Sequence, residues 1–137
     1  MVRRLLIAGC VLAAVAAAGG YALWRRAGGG ELVTMTRSGG LRGVVQTVSV
    51  GDDGGVRVGG RDRDRLPAGR LADLKARLDA AEVDAWPPRL MDDQVRDYYQ
   101  YDITLRRRTF TTNVPDRLPG LAPVVEALTD LLGQHPT

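Results

Sequence analysis

The sequence predicts an α+β domain: an antiparallel sheet built from two hairpins, with two helices on one face, preceded by an N-terminal transmembrane or signal helix. Three observations predict it. Apolar residues alternate in paired short runs, 31–37 with 44–50 and 98–105 with 109–114. Each pair is followed by a stretch with apolar residues at helical spacing. The resulting order, hairpin, helix, hairpin, helix, places helices on one side of an antiparallel sheet rather than between parallel strands. With 137 residues, 45% of them apolar, the chain has material for one modest core.

Each element has its own justification. In 31–37, Val33 and Met35 point one way and Leu32, Thr34 and Thr36 the other. Ser38-Gly39-Gly40 breaks the pattern, because consecutive glycines permit a positive φ. Residues 44–50 are β-branched and place Val44, Val48 and Val50 on one face, so the two runs read as a hairpin. A second Gly/Asp turn at 51–55 leads to Val56-Arg57-Val58, a short third strand, and 59–65 reads as a solvated loop of alternating charge. Asp64 is placed to cap a helix, with Pro67 in its first turn. Leu71, Leu74, Leu78 and Ala81 form the apolar stripe of that helix, and Asp73 and Arg77 pair at i,i+4 on its exposed side. Trp86-Pro87-Pro88 ends it, since a residue before proline avoids the α region.

Residues 89–97 read as polar and irregular. Tyr99, Tyr101, Ile103 and Leu105 then alternate with Tyr98, Gln100, Asp102 and Thr104, the clearest strand in the chain. Arg106–Arg108 form a turn or strand end, and Phe110, Thr112 and Val114 carry the return strand. Leu121, Val124, Val125, Leu128, Leu131 and Leu132 mark a closing helix over 119–132, begun by Pro119 and ended by Gly133. The domain is thus expected over 31–133, with a linker at 27–30 and a frayed tail at 134–137.

Residues 5–24 carry no charge, and twenty apolar residues in a helix span roughly 30 Å, the thickness of a bilayer core. Arg3-Arg4 and Arg25-Arg26 flank the run, and Tyr21 and Trp24 stand where interfacial aromatics stand. An uncleaved signal anchor is one reading of 1–26. A signal cleaved after Ala16 and Ala18, before Gly19, is the second. A lipoprotein signal at Cys10 is the third; its apolar stretch is only five residues, short of the ~7–15 required. In each case the rest of the chain is exported, either secreted or held by a single membrane pass through 5–24.

Composition removes several functions. The formal charge of +3 comes from the arginines flanking the apolar run. Beyond residue 26 the chain carries 15 basic and 16 acidic residues, so no nucleic-acid partner is expected. Cys10 and His135 are the sole cysteine and histidine. That leaves no disulfide framework, Cys/His zinc site or Cys–His dyad. Asp52-Asp53 and Asp92-Asp93 lack the spacing of a calcium loop. No H-E-x-x-H, G-x-S-x-G or phosphate-binding glycine motif is present, and Ser38 and Ser49 are the only serines. The chain is therefore read as no enzyme, with no cofactor and no metal.

The stretch Met35-Thr36-Arg37-Ser38-Gly39-Gly40-Leu41-Arg42-Gly43 resembles the emfourin family of proteinaceous protease inhibitors, in which Arg-Ser-Gly-Gly followed by apolar-x-Gly stands at a strand end. The family is named for an inhibitor of protealysin, a thermolysin-like metalloprotease. The Leu-Pro-led helix over 66–83 is similar to the family's middle helix. Asp97-Tyr98-Tyr99-Gln100-Tyr101-Asp102-Ile103 looks like its tyrosine strand, and 119–132 like its closing helix. The matched region runs from about 32 to 132. The N-terminal segment and the Gly/Asp-rich insert at 51–64 depart from the family pattern and leave the target protease open.

The resemblance implies an inhibitor of a thermolysin-like metalloprotease that acts by steric blockade of the active-site cleft. Arg37, Ser38, Gly39, Gly40, Leu41, Arg42 and Gly43 are the candidate protease-binding residues. Small residues there would let the main chain approach a cleft closely. Tyr98, on the face opposite Tyr99 and Tyr101, is a further candidate, since an exposed aromatic concentrates binding energy. The competing reading of Arg37 to Gly40 is a plain strand-reversing turn. The competing function is a non-catalytic, envelope-associated binding module with the same fold and no protease target.

Overall fold

The alternating Val and Met of the first run dictate a strand with one face buried, and a strand so patterned must sit in a covered sheet. In the computed structural model, which describes residues 30–95 and 98–134, that strand is β1 (Glu31–Gly39). The other strands are β2 (Val44–Gly51), β3 (Val56–Val58), β4 (Arg61–Arg63), β5 (Arg89–Leu90), β6 (Tyr99–Leu105) and β7 (Arg108–Thr112). They form one sheet in the order β4-β3-β2-β1-β6-β7-β5. The helices are α1 (Ala68–Ala80) and α2 (Leu121–Gln134). The chain divides into two units, 1–30 and 31–137, and the second is the α+β domain. The readings of 1–26 as an anchor or signal lie outside the described residues. Among the described residues no helix is long and apolar enough to cross a membrane.

Both predicted hairpins form, β1 with β2 and β6 with β7, and β1 joins them by pairing with β6. Val33 pairs with Val50 and Leu105, and Met35 with Val48 and Ile103, so one face carries a continuous apolar row. Val33, Met35, Val48, Val50, Val58 and Ile103 have no exposed surface. Leu74 and Leu78 of α1, with Leu121, Val124 and Leu128 of α2, belong to the same buried cluster. Both helices therefore cover one face. The other face carries Thr34, Thr36, Thr47, Ser49, Asp102 and Thr104, with hydroxyls paired across strands, as between Thr36 and Thr47 at 3.1 Å.

Four elements differ from the sequence reading. Residues 59–65 are not a loop: Arg61–Arg63 is edge strand β4, paired to β3 through a turn at Gly59 and Gly60, both at positive φ. An edge strand without apolar residues shows no apolar alternation, and here Arg57 bonds Asp62 across the hairpin at 2.9 Å. Residues 89–97 are not wholly irregular, because Arg89–Leu90 pairs in parallel with β7, which makes the sheet mixed. Asp64 does not cap α1. The helix starts after Pro67, with no side-chain cap, because Leu66 N–H donates to Gly54 carbonyl (2.9 Å) and holds the approach extended.

The fourth difference is where the helices end. Helix α1 stops at Ala80, well before Trp86-Pro87-Pro88. Ala81 is extended there, and Glu82 N–H donates to Pro119 carbonyl. A short 3-10 turn, Val83–Ala85, follows, and Trp86 is buried with its ring edge-on to Phe110 at 5.1 Å. Helix α2 begins at Leu121 and includes Gly133, which therefore does not end it. The predicted Asp73–Arg77 pair is present at 3.0 Å.

Candidate functional site

The β1–β2 hairpin builds the candidate site. Gly39 pairs with Val44, so the tip is residues 40–43, closed by Gly43 N–H donating to Gly40 carbonyl at 3.1 Å. Ser38 and Gly39 are not in the loop. They are the last two residues of β1, held between β2 and β6 by pairing with Val45 and Gln100, and with Val44 and Tyr99. The Ser38 side chain lies on the threonine-lined face, by alternation from Thr36.

The two glycines that open the turn are fixed by what lies beside them. Gly39 has φ 112°, and a Cβ there would lie 2.8 Å from Tyr98 carbonyl oxygen. Gly40 has φ 72°, and a Cβ there would lie 3.1 Å from Cε1 of Tyr99. Gly40 N–H also donates to Tyr98 carbonyl at 3.3 Å. Positive φ and close approach both require glycine at these positions. Gly43 also has positive φ, but nothing stands within 4 Å of its Cβ position.

Beyond the glycines the tip projects into solvent. Leu41 is 89% exposed, and Arg42 is exposed beside it. Arg37 instead lies back along the strand, on the helix side of the sheet. Its guanidinium stacks over the Tyr99 ring, 4.6 Å from the centroid, and donates to Gln46 Oε1. Burial pushes the Tyr101 phenol above its usual pKa, against the nearby Arg37 charge, so Tyr101 stays neutral and leaves that charge uncompensated. The partners of Arg37 among the described residues are thus an amide and a ring.

Tyr98 joins the site differently from expectation. Its side chain is half-buried, and its contribution is the main-chain carbonyl that braces Gly40. Three residues missed by sequence reasoning complete the arrangement: Tyr99, the floor under Gly40; Gln46, which orients Arg37; and Val45, 69% exposed. Val45 had a legible signal. It is out of phase with Val44, Val48 and Val50, so it must leave the buried face. Among the described residues, Leu41 and Val45 are the exposed large apolar side chains. No group of three or more His, Cys, Asp or Glu among the described residues is placed to hold a metal ion.

Comparison with family models, with curated proteins and with solved structures gave no match.

Proposed function

We propose that the domain is an exported proteinaceous inhibitor of a thermolysin-like metalloprotease, and that the turn at 40–43 enters and blocks the active-site cleft. The observation that carries this reading is Leu41, an apolar side chain held almost fully in solvent at the apex of a turn whose base is locked. An isolated exposed leucine is ordinary. A leucine presented on a pre-formed turn offers an anchor for an apolar specificity pocket, and little conformational freedom remains to be lost on binding. Two clefts elsewhere on the domain, of about 160 and 260 Å³, are smaller than the ~300–1,000 Å³ of ligand pockets, which favours a site that protrudes over one that receives. A tight inhibitor buries roughly 800 Å² per partner, so Arg42, Gly43 and Val45 must extend the contact made by Leu41. The resemblance to emfourins over 35–43 agrees with this choice of surface.

The test is titration of the full chain against a thermolysin-like metalloprotease. Stoichiometric loss of proteolysis without cleavage of the chain is the expected result. Leu41→Asp, at a solvent-exposed position, should weaken inhibition about 100-fold, the scale of an interface anchor, with the melting temperature unchanged. Inhibition unaffected by Leu41→Asp removes the turn from the mechanism. Absence of inhibition by the wild type returns the domain to a non-catalytic, envelope-associated binding module.

A further inference from the structure

The outer edge of β2 is only half covered. β3 pairs with Val48, Ser49 and Val50, and its last contact with β2 is Gly59 N–H donating to Thr47 carbonyl at 2.9 Å. In an antiparallel strand the N–H and C=O of one residue point to the same side, and the side alternates along the chain. Thr47 therefore faces the β3 side, Gln46 faces β1, and Val45 again presents its N–H and C=O outward. Among the described residues no strand pairs with Val45 on that side. An unpaired strand edge is a template for another extended chain. This edge begins at Val45, three residues after Arg42, so it is continuous with the Leu41 tip.

Two observations select the occupant. Residues 37–50 contain Arg37 and Arg42 and no carboxylate, and Arg37 has only neutral partners among the described residues. Arg42 makes the tip cationic, and Arg37 adds a positive charge behind it in β1, so the hairpin suits an acidic strand. A second copy of this chain would bring a second cationic tip, and one outward-facing residue per copy is far from the roughly 800 Å² each partner buries in a stable pair. We infer that the free edge of β2 at Val45 accepts an extended segment of the target protease, β-branched and acidic, as an added antiparallel strand beside the inserted turn. The inference rests on the inhibitor reading for the identity of its partner. The edge itself does not depend on that reading.

The test follows the Val45 amide of the full chain by hydrogen exchange in three conditions: alone, with a thermolysin-like metalloprotease, and with the blocked peptide acetyl-Glu-Val-Thr-Val-Glu-amide. Alone, the Val45 amide should exchange quickly, and either partner should slow it by about tenfold or more. Val45→Pro removes that N–H without breaking a bond inside the domain and should weaken inhibition roughly tenfold, whereas Val45→Thr should preserve it. Inhibition with an unprotected Val45 amide overturns the added strand and leaves the inhibitor reading intact. Peptide protection without protease inhibition does the reverse. An amide unprotected by both partners overturns the inference, whether or not Val45→Pro folds.

Discussion

Gly39 shows how one residue type serves two demands. Its φ of 112° is a conformation that L side chains rarely adopt, and the Tyr98 carbonyl occupies the space a Cβ would need. Gly39→Ala should therefore cost about 2 kcal/mol, read as a fall in melting temperature of roughly 10 °C. An unchanged melting temperature would mean the strand end relaxes away from Tyr98. Bulk at Gly39 or Gly40 is consequently a poor probe of protease binding, since folding and binding would fall together. Leu41 and Arg42 are the clean probes. The sequence showed that glycines are needed here. It could not show that the Tyr98 carbonyl, just ahead of β6 and some 60 residues later, enforces the need, because nothing in Ser-Gly-Gly names its neighbour.

At the scale of elements, the strongly patterned segments were legible and the charged ones were not. Strands β1, β2 and β6 and helix α2 each bury one periodic face, and periodicity is what a sequence displays. Strands β4 and β5 hold no fully buried side chain, so Arg61-Asp62-Arg63 reads equally well as a loop. The turn between β6 and β7 is a related case. Arg106 and Arg107 have φ of 50° and 65°, the two-residue hairpin geometry that asparagine and glycine favour and arginine does not. The double variant Arg106→Asn with Arg107→Gly should stabilise the domain by about 1 kcal/mol, because left-handed backbone costs an ordinary residue that much. The Arg106–Asp79 ion pair lost in the exchange is 3.7 Å long and solvent-exposed, and such a pair contributes little. A raised thermal midpoint checks this; a lowered one would assign Arg106 a larger role in holding α1.

For the molecule as a whole, the decisive contact is between the two helical connections. Gly120, at φ 75°, lies so close to α1 that a Cβ there would be 2.6 Å from Ala81 Cα. Trp86 Nε1 donates to Pro119 carbonyl at 2.8 Å across the same junction. This contact locks the end of α1 to the start of α2 and seats both helices on the same face. Gly120→Ala should be the most damaging methyl addition in the domain, at about 3 kcal/mol, because backbone stands on the far side and left-handed φ adds strain. Denaturant unfolding checks it, and a loss below that from Gly39→Ala would show that the junction can open.

The sequence by itself determined the fold class, the pairing of β1 with β2 and of β6 with β7, and which residues of each patterned strand face the core. These follow from residue periodicity, which acts over a few positions. Tertiary structure alone decided that Ser38 and Gly39 lie inside the sheet and leave 40–43 as the tip, that Tyr98 contributes a carbonyl rather than an exposed ring, and that Leu41 and Val45 are the large apolar side chains left in solvent among the described residues. These depend on which distant strand stops where. The tip stands free because β3 ends its pairing at Thr47, and a strand's length relative to its neighbour is fixed only when the sheet assembles.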